Sequence, residues 1–159
     1  STFHVSVPLV RAQAPLQVHR ARELPAGPAG LRILVAEDNE VNQMVVVTML
    51  AQMGHACRVV VDGAAAVSAA RDDDWDCVLM DIQMPGMDGE TAARRIRELP
   101  GPRGRVPIIA LTANALLEEQ RAYLAAGMDD HVAKPIDMDT LRDTPRRVVA
   151  TRRAESLAA

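Results

Sequence analysis

The segment LRILVAE (31–37) is followed by a stretch of helical period from Glu40 to Gly54 and then by CRVVVD (57–62). Both short segments contain unbroken apolar runs instead of alternating apolar and polar residues. Such runs are typical of strands that are buried on both faces of a sheet. A strand, a helix and a second strand in this order predict two parallel strands joined by a right-handed crossover.

The same alternation of short apolar runs and helical stretches continues to the end of the chain. The further segments are Gly63–Arg71, CVLMD (77–81), Gly89–Leu99, PIIALT (107–112), Leu116–Ala126, HVAK (131–134) and a last stretch from Asp137. Together they make five strand–helix pairs. They predict an α/β, flavodoxin-like (βα)5 fold with a doubly wound, parallel five-stranded sheet in the order 2-1-3-4-5.

The first helix carries an apolar pattern that predicts its buried face. Val41, Met44, Val45 and Thr48 recur at positions i, i+3, i+4 and i+7. Asn39 precedes the helix and is predicted to cap it. The methionines of this helix are interpreted as core packing residues.

Composition excludes several classes of protein. The chain has 159 residues, of which 48% are hydrophobic and 25% charged, which is typical of one folded domain. The formal net charge of −3 shows no basic excess for nucleic-acid binding, and no apolar run is long enough to predict direct membrane contact. Cys57 and Cys77 have no metal-binding spacing, so we expect reduced cysteines in a cytoplasmic protein.

Chemically reactive side chains follow the predicted strands. Glu37 and Asp38 follow the first strand, Asp81 ends the third, Thr112 ends the fourth and Lys134 ends the fifth. The carboxyl ends of parallel strands lie at one edge of the sheet, so we expect these side chains to converge there. Clustered carboxylates repel one another unless a cation neutralises them, and oxygen ligands suit Mg²⁺.

The same residues also suit phosphoryl transfer. A carboxylate nucleophile such as Asp81 gives an aspartyl phosphate. Lys134, the only lysine of the chain, places a point charge where phosphoryl oxygens need one, and the Thr112 hydroxyl can donate to such an oxygen.

Four motifs connect residues 31–144 to a known family. They are VAEDNEVN (35–42), LMDIQMPGMDG (79–89), ALTANA (110–115) and AGMDDHVAKPI (126–136). In these motifs the chain resembles the receiver domains of two-component response regulators. In sequence, the four motifs are most similar to those of the C-terminal receivers of hybrid sensor histidine kinases.

The resemblance implies roles for individual residues. Asp81 is the phosphoacceptor and Asp38 a direct Mg²⁺ ligand, while Glu37 holds the metal through water and the backbone carbonyl of Gln83 completes the ligand set. Lys134 pairs with the phosphoryl group, and a cis peptide bond is expected between Lys134 and Pro135. The switch positions of the family correspond to Thr112 and His131, the latter more often Tyr or Phe.

The resemblance also implies partners. They are a histidine kinase core, a histidine-phosphotransfer protein, or both, and the parent kinase is either membrane-attached or free. The receiver would catalyse its own phosphorylation and dephosphorylation. We expect the kinase catalytic core to be absent, because the sequence has neither a phosphoacceptor-histidine helix nor nucleotide-binding glycine boxes.

The sequence predicts four segments. STFHVSVPLV (1–10) alternates like a strand and resembles the closing strand of a histidine kinase ATP-binding domain. It is expected either to be mobile or to pair with a sheet edge in a dimer. Residues 11–30 are a Pro- and Gly-containing linker, 31–149 the receiver domain and 150–159 a C-terminal tail. Pro145 is expected to kink or destabilise the last helix.

Two other functions are compatible with parts of this pattern. A dehalogenase-type aspartate phosphatase also uses Asp, Thr and Lys on a parallel sheet, but it needs Asp-x-Asp after its first strand, whereas Asp81 begins Asp-Ile-Gln on the third. A pseudo-receiver binds partners without accepting phosphate, and would lack an acid, the Thr or the Lys. Incubation with a small phosphodonor and Mg²⁺, followed by intact-mass measurement, separates all three.

Overall fold

The computed structural model of the chain describes residues 30–114 and 116–159. The predicted strand at 1–10 and nearly all of the predicted linker at 11–30 lie outside these residues. The described part of the chain begins two residues before the first strand.

Five parallel strands form one sheet in the order β2-β1-β3-β4-β5. This order confirms the predicted fold. The strands are β1 (Arg32–Ala36), β2 (Ala56–Val60), β3 (Cys77–Asp81), β4 (Ile108–Thr112) and β5 (Asp130–Ala133).

Helices connect the strands and cover both faces of the sheet. They are α1 (Glu40–Gln52), α2 (Gly63–Asp72), α3 (Gly89–Arg97), α4 (Leu117–Ala125) and α5 (Met138–Ala158), with a 3-10 turn at Gly101–Arg105. None of the helices in the described part of the chain is both long and apolar enough to cross a membrane.

Alternate residues of β1, β3 and β4 enter two separate cores, as the period of two in a strand requires. On one face Leu34 packs with side chains of α2, α3 and α4, including Ala66 and Ile96. On the other face Ile33 packs with α1 and α5, including Leu50 and Leu141. Both faces of the sheet are therefore covered by apolar side chains, and the functional groups lie at its edge.

The predicted buried face of α1 is wrong. Val41, Met44 and Val45 are 69%, 62% and 39% exposed, whereas the helix buries Val46, Val47 and Leu50. Apolar residues occur almost all round this helix, so their spacing could not select the face that meets the sheet. Asn39 caps the helix as predicted, because its side chain accepts from the backbone N–H groups of Val41 and Asn42. Met49 and Met53 pack against the core as predicted, but Met44 does not.

The last helix extends further than predicted. α5 continues from Met138 to Ala158, so residues 150–158 are helical. Pro145 lies inside this helix and is buried, although proline cannot donate a backbone hydrogen bond there. Good helix formers such as Ala, Arg, Glu and Leu follow it, and Arg152 anchors the added turns by donating to Asp129.

Candidate functional site

Three carboxylates meet where β1 and β3 end side by side. Carboxylate oxygens of Glu37, Asp38 and Asp81 all lie within 4.8 Å of one another. Glu37 and Asp81 are buried, at 0% and 5% exposure, whereas Asp38 is exposed. The cluster thus has a closed side and a side open to solvent.

Lys134 joins the buried pair. Its Nζ lies 2.7 Å from Glu37 Oε2 and 2.9 Å from Asp81 Oδ2. Burial lowers the pKa of Lys134, but hydrogen bonds and charge attraction from Glu37 and Asp81 outweigh it, and the net pKa is raised. The lysine is therefore a permanent cation at neutral pH. The peptide bond that follows it, to Pro135, is cis, as the resemblance implies.

Backbone and side-chain amides orient the two buried acids. Glu37 Oε1 accepts from Asn39 N and from Asn42 Nδ2, both at 3.1 Å. Asp81 Oδ1 accepts from Gln83 N at 3.1 Å. Each buried carboxylate therefore has one oxygen held by amides and the other facing the lysine.

The start of α3 lies directly against the end of β3. A Cβ atom added at Gly89 would lie 2.2 Å from Asp81 O. Only glycine allows this approach, because any side chain would push the helix away from the acid. The glycine that ends the motif at 79–89 is therefore a packing requirement of the site.

An open cavity of about 380 Å³ lies above the cluster. Glu37, Asp38, Asp81, Gln83, Thr112 and Lys134 all line it. The structure thus brings together every predicted site residue except His131. His131 pairs with Ala110 in the β4–β5 register, and its Nε2 lies 3.3 Å from the Gln120 amide nitrogen.

Several lining residues were not predicted from the sequence. Asn42, Glu90, Glu119 and Tyr123 also face the cavity. The signal for the last two was present, since Glu119 and Tyr123 are spaced i and i+4 in the helix that follows Thr112, and Tyr123 is the only tyrosine of the chain. Without the orientation of α4, that spacing could not be connected to the strand ends.

The cluster suits a hard divalent cation. Three carboxylates against one ammonium leave two negative charges. Within residues 30–114 and 116–159, no basic side chain forms an ion pair with Asp38, which faces the open cavity. An all-oxygen donor set with an open side fits Mg²⁺, which keeps several of its waters.

Comparison with known proteins identifies the family. Residues 33–146 match the family model of the response regulator receiver domain. This chain belongs to that family. A receiver is a domain of two-component signalling.

Similar proteins include long sensor kinases. The chain is 42% identical over 134 residues to sensor protein GacS of Pseudomonas syringae pv. syringae, covering 80% of this chain and 15% of that protein. It is also 42% identical over 114 residues to hybrid signal transduction histidine kinase G of Dictyostelium discoideum, covering 70% of this chain and 3% of that protein. The chain thus spans only a small part of these relatives.

A solved structure is similar over nearly its full length. It is the receiver domain of a sensor histidine kinase from Pseudomonas aeruginosa PAO1, with a magnesium ion coordinated in the active site cleft. It is 44% identical to this chain, with a TM-score of 0.71, and the match covers 77% of this chain and 99% of that one.

Proposed function

We propose that this receiver accepts a phosphoryl group from a phosphohistidine onto Asp81, with Mg²⁺ bound by the neighbouring acids, and switches conformation as a result. One observation carries the proposal: the Asp81 carboxylate lies at the base of an open cavity, 2.9 Å from the only lysine of the chain. A buried carboxylate beside one fixed cation and two further acids is poorly suited to a purely structural role.

The chemistry depends on this placement. A carboxylate oxygen of Asp81 forms a bond to phosphorus while the phosphorus–nitrogen bond of the phosphohistidine breaks, and the electron pair stays on the imidazole nitrogen. Lys134, freed from one carboxylate, neutralises the phosphoryl oxygens. The Thr112 hydroxyl donates to one of them. Later attack of water on phosphorus breaks the phosphorus–oxygen bond to Asp81, which releases inorganic phosphate and returns the carboxylate.

Asp38, Glu37 and Asp81, with the backbone carbonyl of Gln83, are the residues proposed to hold Mg²⁺. The ion would supply positive charge for the transferring phosphoryl oxygens. The uncompensated charge of the cluster supports this assignment, and the magnesium in the similar receiver of Pseudomonas aeruginosa points the same way.

The exposed side chains of α1 favour a protein as phosphodonor. Val41, Met44 and Val45 form an apolar stripe on α1. The stripe adjoins the cavity, because Asn42, on the same helical turn as Val41, lines the cavity. A kinase core or a histidine-phosphotransfer protein that covers the stripe would bring its phosphohistidine over Asp81. We also infer a cytoplasmic location, because the kinase that supplies the phosphohistidine uses nucleotide from the cytoplasm.

The test uses a small phosphodonor such as acetyl phosphate with Mg²⁺, and intact mass as the readout. The wild-type protein should gain the mass of one acid-labile phosphoryl group. Asp81→Asn should gain none and remain folded, because the change removes the nucleophile but little volume. Labelling of Asp81→Asn at the wild-type rate would refute the assignment.

The metal assignment has its own measurement. Asp38→Asn should weaken Mg²⁺ binding in calorimetry by roughly ten-fold or more, since it replaces a charged carboxylate ligand with a neutral amide. Asp139→Asn, an exposed acid on α5, is the matched control and should bind as the wild type does. Equal affinity in all three proteins would place the metal elsewhere.

A further inference from the structure

Only one side chain of α4 is buried against the rest of the domain. Tyr123 is the single buried residue of α4, a helix that the structure describes in full. Leu117 and Leu124 of this helix are 75% and 59% exposed. Leu116 precedes the helix and provides no side-chain cap. The position of α4 therefore depends strongly on what holds Tyr123.

The hydroxyl of Tyr123 contacts the predicted switch residue directly. Tyr123 Oη lies 2.9 Å from Thr112 Oγ1 and donates to Glu119 Oε2 at 3.1 Å. Tyr123 and Glu119 both line the cavity above Asp81. Burial raises the pKa of Tyr123, and the Glu119 carboxylate contributes to the rise. The phenol therefore keeps its proton at neutral pH.

The hydroxyl protons of this cluster are already in use. Thr112 Oγ1 accepts from Asn114 N and can donate to Asn114 O or to Tyr123 Oη. Two hydroxyl protons thus serve three contacts: to the Asn114 carbonyl, to the Glu119 carboxylate, and between the hydroxyls. In every arrangement the hydroxyl proton of Thr112 is donated to Asn114 O or to Tyr123 Oη. It can be donated to a phosphoryl oxygen on Asp81 only if Thr112 moves away from these two acceptors.

We propose that Tyr123 is a positioning residue of the receiver: its hydroxyl holds Thr112 away from Asp81 before phosphorylation, and the movement of Thr112 toward the phosphoryl group releases Tyr123 and with it α4. This inference rests on the proposed function, since it requires phosphorylation of Asp81. It assigns the link between site and helix to a residue of α4, whereas the resemblance assigned that link to His131 on β5.

The first test is a rate measurement in a double-mutant cycle. Tyr123→Phe should accept phosphate from acetyl phosphate about five-fold faster than the wild type, because Thr112 is released from one hydrogen bond. The acceleration should vanish in a Thr112→Ala background, where there is no hydroxyl to hold, and persist in Thr112→Ser. The proposal would be overturned if Tyr123→Phe accelerated phosphorylation equally in all three backgrounds. It would also be overturned if Tyr123→Phe caused no acceleration in the otherwise wild-type protein.

The second test requires no substitution at Tyr123 and so stands even if Tyr123→Phe fails to fold. Tyr123 is the only tyrosine, so protein labelled with 3-fluorotyrosine gives one fluorine resonance. That resonance should shift when the protein is phosphorylated, and should not shift in Asp81→Asn or in Thr112→Ala given the same donor. In the control variant Leu124→Ala, on the exposed side of α4, the resonance should shift as it does in the wild type.

The outcomes separate the two proposals. A wild-type protein that gains no phosphoryl mass would refute the proposed function and the coupling with it. A protein that gains the mass while its tyrosine resonance stays unmoved would refute only the role of Tyr123.

Discussion

The ammonium of Lys134 lies 2.9 Å from the Asp81 carboxylate, although 53 positions of sequence separate the two residues. The same ammonium lies 2.7 Å from Glu37. One cation thus holds two buried acids from neighbouring strands, and the stability of the sheet edge depends on it.

Lys134→Met should lower the free energy of unfolding at pH 7 by about 2 kcal/mol, because it leaves two buried carboxylates without a counter-charge. The raised pKa of Lys134 fixes the sign of its pH dependence. The stabilising contribution is complete below the unfolded pKa of about 10.4 and is lost as pH rises through the higher folded value. Mg²⁺ should restore part of the stability, because it binds the folded state alone.

Urea unfolding with and without Mg²⁺ measures this effect. Arg153→Met is the control: Arg153 pairs with Asp76 but its side chain is 66% exposed, so the loss should stay below about 1 kcal/mol. Equal losses in the two variants would contradict the central role of Lys134.

The two sides of α1 should respond oppositely to substitution. Leu50→Ala should cost about 3 kcal/mol of stability, since Leu50 is fully buried. Met44→Ala should cost less than about 0.5 kcal/mol, since Met44 is exposed. Met44→Asp should leave phosphorylation by acetyl phosphate unchanged while slowing transfer from a phosphohistidine protein. Slowing with both donors would show that the stripe acts on the site itself and not on docking.

Asp129 connects three elements at the opposite edge of the sheet. It accepts from Ile108 N at 2.8 Å, from Arg97 at 2.9 Å and from Arg152 of α5 at 2.7 Å. Asp129→Ala should cost about 3 kcal/mol, because the partly buried Arg97 would lose its counter-charge. The phosphorylation rate should be unaffected in the folded protein.

Asp139→Ala is the matched control for this prediction. Asp139 also pairs with an arginine, but its side chain is 84% exposed, so its removal should be almost neutral in thermal unfolding. A small loss for Asp129→Ala would mean that the arginines find other partners.

His55 should make the domain less stable in mild acid. Its Nδ1 accepts from Leu31 N at 3.0 Å, and its Nε2 has no hydrogen-bond partner among the described residues. Burial, followed by the charge of Arg146, lowers the pKa of His55, while Asp76 opposes the shift. The unfolded chain therefore binds a proton first, and the contribution of His55 is present above about pH 6.5 and lost as pH falls.

Thermal unfolding between pH 7.5 and pH 5 measures this dependence. The midpoint of the wild-type protein should fall over this range, and that of His55→Gln should fall less. An unchanged slope in His55→Gln would assign the acid sensitivity to other groups.

The strands and the positions of the strand-end residues could be predicted from the sequence, because both are local properties. Runs such as CVLMD (77–81) indicate buried strands within a few residues. Parallel topology then brings Asp81, Thr112 and Lys134 to one edge, since the carboxyl ends of all strands lie there.

Tertiary structure alone decided which helix faces are buried and which distant residues meet. Periodicity could not orient α1, because its apolar residues surround the helix. Spacing could not show that Tyr123 reaches Thr112, or that Arg152 reaches Asp129 and extends α5. Those contacts depend on how whole helices settle on the twisted sheet, which is determined by packing along their full length and not by any local pattern.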